Sequence, residues 1–263
     1  MQTFKDKKII ITGGGSGIGK AIIREFYQAG ARDFAVIGRK PERLKALEAD
    51  FPQAHFILFQ GDVSQLEAIR QFSQSVKDTW GAADILINNA GVVSAGALET
   101  ISDEDIIAQQ SINVTGLILL TKYALPLLKK STQAAIINVS SSIALIGLPF
   151  YTPYAAAKGG VKMFSEALRR ELKDFPIHVM TVYPTATDTP MMQTAAMGAM
   201  DTPELVAEKT MQGLNENAID VILGDEQHSD QVRLNWENPI EFDKKAATIY
   251  DALAERTVKH RAM

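Results

Sequence analysis

Two kinds of segment alternate along the chain. Short apolar runs rich in Ile, Val, Leu and Phe are separated by longer stretches that carry an apolar residue every three or four positions. Near-continuous apolar runs are typical of strands buried on both faces, and the longer pattern is typical of helices. The pattern predicts strands at 9–12, 34–37, 55–59, 84–88, 134–140, 177–182 and 219–223, and helices at 17–29, 41–50, 64–79, 103–130, 152–174 and 202–214.

This alternation predicts a doubly wound α/β fold, in which one parallel sheet of about seven strands has helices on both faces. The 263 residues are enough to bury a large core. The chain has no internal repeat, low-complexity segment or long linker. We therefore expect a single domain over residues 1–263.

Composition excludes several classes of function. Lys and Arg total 27 against 31 Asp and Glu, and a net charge of -4 argues against nucleic acid as a partner. The absence of cysteine excludes disulfides and thiolate chemistry, and the four histidines show no metal-ligand spacing, so we expect no metal. The first eight residues are polar, and the apolar run behind them is too short for a signal or a membrane span. These features predict a soluble, cytoplasmic protein without a membrane partner.

A glycine-rich turn joins the first predicted strand to the first helix. It reads Thr12-Gly13-Gly14-Gly15-Ser16-Gly17-Ile18-Gly19. Such turns bring the backbone and a helix N-terminus close to an anion, most often a phosphate. Gly14 to Lys20 fits the phosphate-loop spacing of a nucleotide triphosphatase, but that motif needs Ser or Thr next, and position 21 is Ala. The remaining spacing, TGxxxGxG, leaves dinucleotide binding as the competing interpretation.

Small and polar residues follow the predicted strands. In doubly wound sheets, ligands bind beyond the carboxyl ends of the strands. These residues also have ordinary structural interpretations. Asp62 could cap a helix that begins near Ser64, and the pair Asn88-Asn89 could be turn residues. The basic residues Arg39, Lys40 and Arg43 could be the solvated start of a helix. The segments in question are Gly38-Arg39-Lys40, Gly61-Asp62-Val63, Asn88-Asn89-Ala90-Gly91, Ser140-Ser141-Ser142 and Tyr183-Pro184-Thr185.

Tyr154 and Lys158 form the strongest chemical signal. Their i, i+4 spacing puts both on one helix face. A nearby ammonium favours the phenolate, so we expect Lys158 to lower the pKa of Tyr154 and make it a usable general acid or base. Ser141 precedes Tyr154 by thirteen residues, at the end of the fifth predicted strand.

The motifs of the chain occur in an order that resembles the short-chain dehydrogenase/reductase family. In sequence order they are the glycine turn, Asn88-Asn89-Ala90-Gly91, Asn113, Ser141, Tyr154 and Lys158. The resemblance covers roughly residues 5–190 and implies a Rossmann sheet and an oxidoreductase. Such an enzyme transfers a hydride between a nicotinamide cofactor and a carbonyl or alcohol substrate. A catalytically idle NAD(P)-binding regulatory protein on the same fold is the alternative, although it would usually have lost Tyr154 or Lys158.

The resemblance also implies roles for individual residues. Tyr154 would exchange a proton with the substrate oxygen, and Ser141 would orient that oxygen. Lys158 would lower the Tyr154 pKa and hold the nicotinamide ribose, while Asn113 would position a water that connects Lys158 to solvent.

A cofactor-binding set follows from the same resemblance. Asp62 and Val63 would contact adenine, Asn89 to Gly91 would border its ribose, and Thr12 with Asn88 would brace the sheet ends. Thr185 and Thr187 depart from the family, which usually has Gly and an aliphatic residue there. The expected set is Thr12, Gly13, Gly15, Ser16, Gly17, Ile18, Gly19, Gly38, Arg39, Lys40, Asp62, Val63, Asn89, Ala90, Gly91, Tyr154, Lys158, Pro184, Thr187 and Thr189.

The end of the second predicted strand favours NADP(H) over NAD(H). NAD-dependent proteins place Asp or Glu here, where it binds the ribose 2′-hydroxyl. Gly38 instead leaves room for a 2′-phosphate, and Arg39 can pair with it through two hydrogen bonds. Asp33 precedes the strand and belongs at its far end. Against this preference, Ser16 stands where many NADP-dependent relatives carry a basic residue, so NAD(H) remains the alternative.

The segment 190–214, between the sixth and seventh predicted strands, is expected to contact the substrate. We expect residues 190–214 to form a substrate lid, with Thr202 as the N-cap of a helix that begins at Pro203. Flexible methionines there suit an apolar or variable substrate. They are Met191, Met192, Met197, Met200 and Met211.

The segment 225–263 is expected to be a helical tail. It carries Phe242, Ala246, Ile249 and Leu253 at helical spacing, which predicts one apolar face that could cover the site or pack on another subunit.

The family resemblance implies a homodimer or homotetramer. Family members usually pair through the two helices that correspond to 103–130 and 152–174. Leu117, Leu120 and Leu168 on these helices could serve such an interface or the core.

Overall fold

One parallel sheet organises the chain. The computed structural model describes residues 4–195 and 198–263. Within them, seven strands pair in the order β3-β2-β1-β4-β6-β7-β8. The sheet strands are β1 (Lys8–Thr12), β2 (Asp33–Gly38), β3 (His55–Gln60), β4 (Ile85–Asn88), β6 (Ala134–Val139), β7 (Ile177–Tyr183) and β8 (Asp220–Ile222), and a separate short strand β5 (Val93–Ser94) pairs with β9 (Arg261–Ala262).

The helices lie between the strands as the sequence pattern predicts, and further helices follow β8. Each predicted helix before β8 corresponds to an observed one within a few residues. The helices are α1 (Gly17–Gln28), α2 (Pro41–Asp50), α3 (Leu66–Trp80), α4 (Asp103–Gln110), α5 (Leu117–Leu128), α6 (Thr152–Glu171), α7 (Pro203–Asn215), α8 (Glu226–Glu237), α9 (Pro239–Ala247) and α10 (Tyr250–Thr257).

Both faces of the sheet are buried, which explains the continuous apolar runs. In β1, Ile9 and Ile11 face one hydrophobic core with α1, α2 and α7, while Ile10 faces a second core with α3, α5 and α6. Successive side chains of a strand point to opposite faces, so each strand needs apolar residues at every position. The predicted doubly wound sheet of about seven parallel strands is confirmed.

The strand order changes direction between β1 and β4. The chain moves outward from β1 through β2 to β3, and then returns to the other side of β1 with β4. At such a switch point the loops after adjacent strands leave in opposite directions and open a crevice. The sheet therefore places the glycine turn after β1 opposite Asn89 and Ala90 after β4.

The predicted helix at 103–130 contains an irregular turn. Residues Ser111–Gly116 are π-helical and lie between α4 and α5. Among the described residues, the helical stretch Asp103–Leu128 is long and apolar enough to cross a membrane by length and composition alone. Half of its most apolar window is buried inside the protein, as in a core helix.

The segment 190–214, which was expected to be a substrate lid, includes helix α7. Helix α7 packs on α1, and Val206 and Ala207 lie fully in the core, so this helix belongs to the body of the fold. Its predicted start is confirmed, because the Thr202 hydroxyl accepts a hydrogen bond from the Leu205 amide at 3.1 Å. Met197 lies outside the described residues.

The tail is not one continuous amphipathic helix. The chain turns between α9 and α10, so Phe242 and Leu253 are buried while Ile249 is 46% exposed. The prediction of a single apolar face is wrong at Ile249, because the helical spacing is interrupted there. After α10 the chain returns to β5, with which β9 pairs antiparallel in a separate two-stranded sheet.

Gly116 provides a test of how closely the π-helical segment approaches the sheet. A methyl group on Gly116 would lie 2.4 Å from the carbonyl oxygen of Val63, which is backbone and cannot rotate away. Gly116→Ala should therefore lower the free energy of unfolding by about 1–3 kcal/mol. Gly159→Ala in α6 is the control, because nothing lies within 4 Å of its added methyl group. Urea denaturation measures both, and equal stability of the two variants would contradict the close approach.

Candidate active site

A cavity of about 530 Å³ runs along the carboxyl ends of the strands. Its size is ordinary for a small-molecule site. All of the predicted catalytic and cofactor-binding residues line it except Thr12, Gly19 and Asn113, which are buried directly behind its wall. The structure therefore brings together residues that are separated by up to 177 positions in sequence, from Thr12 to Thr189.

Three glycines of the turn after β1 answer different steric demands. Gly13 and Gly17 have φ values of +66° and +52°, in the left-handed region that residues with a Cβ seldom adopt. A methyl group on Gly19 would lie 2.5 Å from the Asn89 amide nitrogen and the Gly13 carbonyl oxygen. In the TGxxxGxG motif, Gly13 and Gly17 thus allow the turn, and Gly19 allows close packing against Asn89 and Gly13.

Hydrogen bonds join the glycine turn to the turn after β4. The Thr12 hydroxyl oxygen accepts from the amides of Asn89 and Ala90, each at 2.9 Å. In return, the Asn89 side-chain amide donates to the carbonyl oxygens of Thr12 at 3.1 Å and Gly13 at 3.2 Å. These bonds fix the two sides of the crevice relative to each other. Thr12 and Asn89 therefore fix the positions of the two turns that form the walls of the cavity.

A second buried network lies deeper, at the ends of β4 and β6. The Asn88 amide donates to Thr121 Oγ1 at 2.9 Å and to Asn138 Oδ1 at 2.8 Å. The Asn138 amide donates in turn to Ser165 Oγ at 2.8 Å. This network ties two strands to α5 and α6 and gives Asn88 the bracing role that the sequence analysis expected. Asn138, Thr121 and Ser165 were missed, although an Asn within the apolar run of β6 was a visible signal.

Lys158 lies beneath Tyr154, with its ammonium group buried. Its Nζ donates to the Val139 carbonyl oxygen at 3.0 Å and lies 5.8 Å from the centre of the Tyr154 ring. Ser140 anchors the same helix turn, because its hydroxyl donates to the Lys158 carbonyl oxygen at 2.9 Å. The end of β6 therefore sets the position of α6, which carries both side chains.

Burial shifts the pKa values of both groups. Burial raises the pKa of Tyr154 to about 12, and a hydrogen bond with Ser141 opposes this rise in part. Burial lowers the pKa of Lys158 to about 8. The shift of Tyr154 is opposite to the sequence-based expectation, because desolvation of the buried phenol outweighs the hydrogen bond with Ser141. Near neutral pH, Tyr154 is therefore a neutral hydroxyl that holds its proton, and Lys158 is mostly charged.

The three serines after β6 differ in their bonding. Ser140 turns towards α6, as described above. Ser141 Oγ accepts from the Ile143 amide at 3.3 Å, which leaves its proton available to the cavity beside Tyr154. Ser142 is held through its backbone, whose amide donates to the Pro184 carbonyl oxygen at 2.8 Å. Of the three hydroxyls, that of Ser141 is the one bonded to Tyr154.

Asn113 is held in the π-helical segment. Its Oδ1 accepts from the Val92 amide at 2.8 Å, and its Nδ2 donates to the Val92 carbonyl oxygen at 2.9 Å. A methyl group on Gly91 would lie 3.0 Å from Asn113 Oδ1 and 3.6 Å from Lys158 Nζ, so the three residues meet at one point. The Asn113 side chain fixes the chain after β4 there.

The end of β2 carries positive charge. Arg39 and Lys40 are exposed at the cavity, and Arg43 Nη1 donates to Ser16 Oγ at 3.1 Å. Asp33 lies at the opposite end of the strand, as expected, and pairs with His55 at 3.2 Å. These basic groups border the glycine turn and the start of α1.

Asp62 does not cap α3. Its Oδ1 accepts from the Ser64 amide at 2.8 Å in a local turn, and the helix begins at Leu66 rather than at Ser64. Its carboxylate lines the cavity beside Val63.

The loop after β7 accommodates both threonines that depart from the family pattern. The Thr185 hydroxyl donates to the Asp201 carboxylate, and Thr187 Oγ1 donates to the Thr185 carbonyl oxygen at 3.0 Å. Positive φ values among the described non-glycine residues are confined to Asp6, Phe150 and Asn217, so Thr185 is not strained. Side-chain bonds to Asp201 take over the role of a flexible glycine here.

The far end of the cavity is built by the tail, which the sequence analysis left without a site residue. Tyr151 Oη lies 3.0 Å from His260 Nδ1, and His260 Nε2 lies 3.3 Å from the Met191 carbonyl oxygen. Arg261 donates two hydrogen bonds to the Asp105 carboxylate, at 2.7 Å and 2.9 Å. Helical spacing alone could not reveal these contacts, because they join positions 69 to 156 residues apart.

Comparison with known proteins agrees with this geometry. The family model described as short chain dehydrogenase matches residues 7–198. The chain belongs to the short-chain dehydrogenase family. The match ends before α7, so the tail that closes the far end of the cavity lies outside the shared segment.

Relatives and solved structures place this family member among oxidoreductases. The chain is 33% identical to an uncharacterized oxidoreductase of Thermotoga maritima over 213 residues, which cover 80% of this chain and 83% of that one. It is 26% identical to the 3-ketoacyl-(acyl-carrier-protein) reductase of Brucella melitensis, solved with NADH, with a TM-score of 0.75 over 84% of this chain and 98% of that one. A short chain dehydrogenase of Burkholderia cenocepacia, solved with NADP, is also 26% identical, with a TM-score of 0.75 over 84% and 96% of the two chains.

Thr12 tests the bonds that join the two turns. Thr12→Val keeps the shape of the side chain but leaves the Asn89 and Ala90 amides without their acceptor. We expect a loss of about 2 kcal/mol in the free energy of unfolding, because two partly buried donors lose a partner. Thr12→Ser keeps the hydroxyl and should lose about 1 kcal/mol or less, for one methyl group. Thermal or urea unfolding measures the difference, and equal losses would contradict the bonding role.

Proposed function

We propose that the protein transfers a hydride between NADP(H) and a small carbonyl or alcohol substrate. The observation that carries this proposal is the meeting of Ser141, Tyr154 and Lys158 inside a crevice at the switch point of the sheet. A proton donor, a buried ammonium and an oxygen-orienting hydroxyl are what carbonyl reduction asks of a protein. The NADH and NADP found in the two solved relatives support a nicotinamide cofactor.

The cavity walls fit such a cofactor. The left-handed glycines Gly13 and Gly17 allow close approach of backbone at the start of α1, where the N-cap Ser16 makes no side-chain capping bond of its own. A helix N-terminus of this kind suits a pyrophosphate. Gly91 and Lys158 would border the nicotinamide ribose, and Asp62 with Val63 would border the adenine. When bound, the nicotinamide would donate or accept the hydride.

The protein's contribution is the proton and its control. In reduction, the Tyr154 hydroxyl, protonated near neutral pH, would donate to the carbonyl oxygen as the carbonyl carbon gains the hydride. The Lys158 ammonium would stabilise the phenolate that remains, and Ser141 would hydrogen-bond the substrate oxygen. In oxidation the same groups would act in reverse, with the Tyr154 oxygen receiving the alcohol proton.

The charge at the end of β2 supports NADP(H) over NAD(H). Gly38 has no side chain to obstruct a phosphate, and Arg39 and Lys40 are exposed beside it. Arg43 is a third cation at the same edge, where it donates a hydrogen bond to Ser16 Oγ. Asp33, the nearby acid of this strand, lies at its other end.

The substrate end of the cavity supports a partly apolar substrate. Val93, Ile143 and Tyr151 form a small buried cluster, and Leu148 and Met191 pack against it. These side chains adjoin Tyr154. Met191 and Met192, two of the methionines expected to contact the substrate, line the cavity.

We also propose that the protein is a homodimer or homotetramer paired through α4, α5 and α6. Leu117, Leu120 and Leu168 are buried in the core and are not available for an interface. The same helices instead expose Ile107 (64%) and Met163 (58%).

Light scattering at micromolar concentration tests the assembly. The wild type should give a multiple of the chain mass, and Met163→Glu should shift the population towards the monomer, because a charge would be buried in the interface. Val258→Glu is the control, since Val258 is 77% exposed on the tail. A monomeric wild type would reject this assembly.

Tyr154→Phe tests the proton donor. The variant loses only the hydroxyl, so turnover should fall by at least about a hundredfold while cofactor affinity stays nearly unchanged. NADPH oxidation with a panel of ketones and aldehydes measures turnover, and fluorescence titration measures affinity. A variant that keeps more than about a tenth of wild-type kcat would show that another group supplies the proton.

The serines test the register of the site. Ser141→Ala should lower kcat by more than about tenfold, through loss of one hydrogen bond to the reacting oxygen. Ser142→Ala is the matched control and should keep most of the activity. Equal losses in the two variants would place the orienting hydroxyl elsewhere.

Arg39→Ala tests the cofactor preference. Wild-type kcat/KM should favour NADPH over NADH, and the variant should lose about tenfold or more of that preference with the charge-assisted bond. Lys45→Ala removes the same charge from an exposed position of α2 and serves as control. A wild-type preference for NADH, or an unchanged preference in Arg39→Ala, would refute the assignment.

A further inference from the structure

Arg256 of α10 reaches the substrate end of the cavity from the tail. Its Nε is buried and has no hydrogen-bond partner among the described residues. Its guanidinium carbon lies 5.4 Å from the centre of the Tyr151 ring, and the Tyr151 and Tyr154 rings lie 6.5 Å apart. A buried donor without a partner costs free energy, so a group that it can bind is expected at this point.

The tail supplies no acid to Arg256. Among the described residues, the ion pairs of the tail are Arg233–Asp230, Lys244–Glu241 and Arg261–Asp105, and none includes Arg256. The neighbouring cation Arg261 thus has an acidic partner in Asp105, whereas Arg256 has no ion pair among the described residues.

The described side chains that line the cavity likewise offer no carboxylate at this end. Asp62 is the one side-chain carboxylate among the described residues that line the cavity, and it lies after β3, on the proposed adenine side. No acidic side chain of the cavity lining therefore lies at the substrate end to pair with Arg256.

The groups that contact Arg256 are neutral. The Met191 carbonyl oxygen can only accept, so His260 Nε2 carries the ring proton and Nδ1 accepts from the Tyr151 hydroxyl. Burial lowers the pKa of His260, which keeps the ring uncharged near neutral pH. Burial also raises the pKa of Tyr151, and the nearby Arg256 opposes that rise only in part. Tyr151 lies beside the guanidinium and hydrogen-bonds to it, and neither Tyr151 nor His260 neutralises its charge.

We propose that Arg256 binds a carboxylate group of the substrate, so that the enzyme acts on oxo acids or the corresponding hydroxy acids. The inference rests on the proposed carbonyl/alcohol chemistry and adds the substrate class. A planar guanidinium matches a carboxylate with two parallel hydrogen bonds, and the partly desolvated site strengthens that pairing. The apolar cluster between Arg256 and Tyr154 would contact the carbon spacer that joins the two ends of the substrate.

Matched acids and esters test the proposal. The probes are 4-oxopentanoate, 6-oxoheptanoate and 4-acetylbenzoate, each compared with its methyl ester, which keeps the carbonyl and removes the charge. Steady-state kcat/KM with NADPH at pH 7 gives the ratio of acid to ester. The wild type should favour the acid by about tenfold or more for at least one spacer, as one charge-assisted bidentate pair implies.

Variants separate Arg256 from the general charge of the protein. Arg256→Gln should bring the acid-to-ester ratio to about one while it leaves turnover of the ester within a few-fold. Arg256→Lys should keep part of the preference. Arg170→Gln is the matched control, because Arg170 is an exposed arginine of α6 that pairs with Glu166 outside the cavity, and it should leave the ratio unchanged. Unfolding temperatures check that each variant is folded.

Each outcome decides the inference. A wild-type ratio near one for all three spacers, or a high ratio that survives Arg256→Gln, would overturn it. If NADPH binds but no ketone is reduced, the proposed function fails, and calorimetric titration with 4-acetylbenzoate then decides the carboxylate site alone. Binding to the wild type and not to Arg256→Gln would support that site, and absence of binding would overturn it.

Discussion

The hydrogen bonds of Thr12 and Asn89 across the switch point are the constraint on which the site depends. β1 and β4 are paired in the sheet, but the turns that follow them leave in opposite directions and open a crevice. The Thr12 hydroxyl and the Asn89 amide connect the two turns through four bonds between 2.9 Å and 3.2 Å. The glycines then allow the turn to approach a ligand without obstructing it.

Burial sets the protonation states of the proposed catalytic groups, Tyr154 and Lys158. Lys158 is held under Tyr154 by the Val139 carbonyl, and Ser140 holds the backbone of the same helix turn. In this low-dielectric setting Tyr154 retains its proton and Lys158 loses part of its affinity for one. The two shifts move the pKa values of Tyr154 and Lys158 apart, to about 12 and about 8. Near neutral pH, a hydroxyl that keeps its proton therefore lies close to a mostly charged ammonium group.

Local sequence patterns carried the fold and much of the candidate site. Apolar runs located the strands because both faces of the sheet are buried, and the glycine spacing located the turn because two φ values and one close approach demand it. What failed depends on contacts distant in sequence. The direction of the Tyr154 pKa follows from burial that no spacing reports, and Tyr151 meets His260 only because β9 returns to β5. A local break also escaped the pattern, because the apolar spacing continues across the turn between α9 and α10.

The central claim is hydride transfer to a carbonyl carbon within this crevice, and isotope transfer tests it most directly. The enzyme would be incubated with an accepted ketone and NADPH that carries deuterium at one or the other face of C4 of the nicotinamide. The account predicts that one of the two labelled forms gives an alcohol with deuterium on the carbinol carbon, detected by mass spectrometry or NMR. Alcohol formed without deuterium from either form, or no alcohol from any ketone despite bound cofactor, would contradict it.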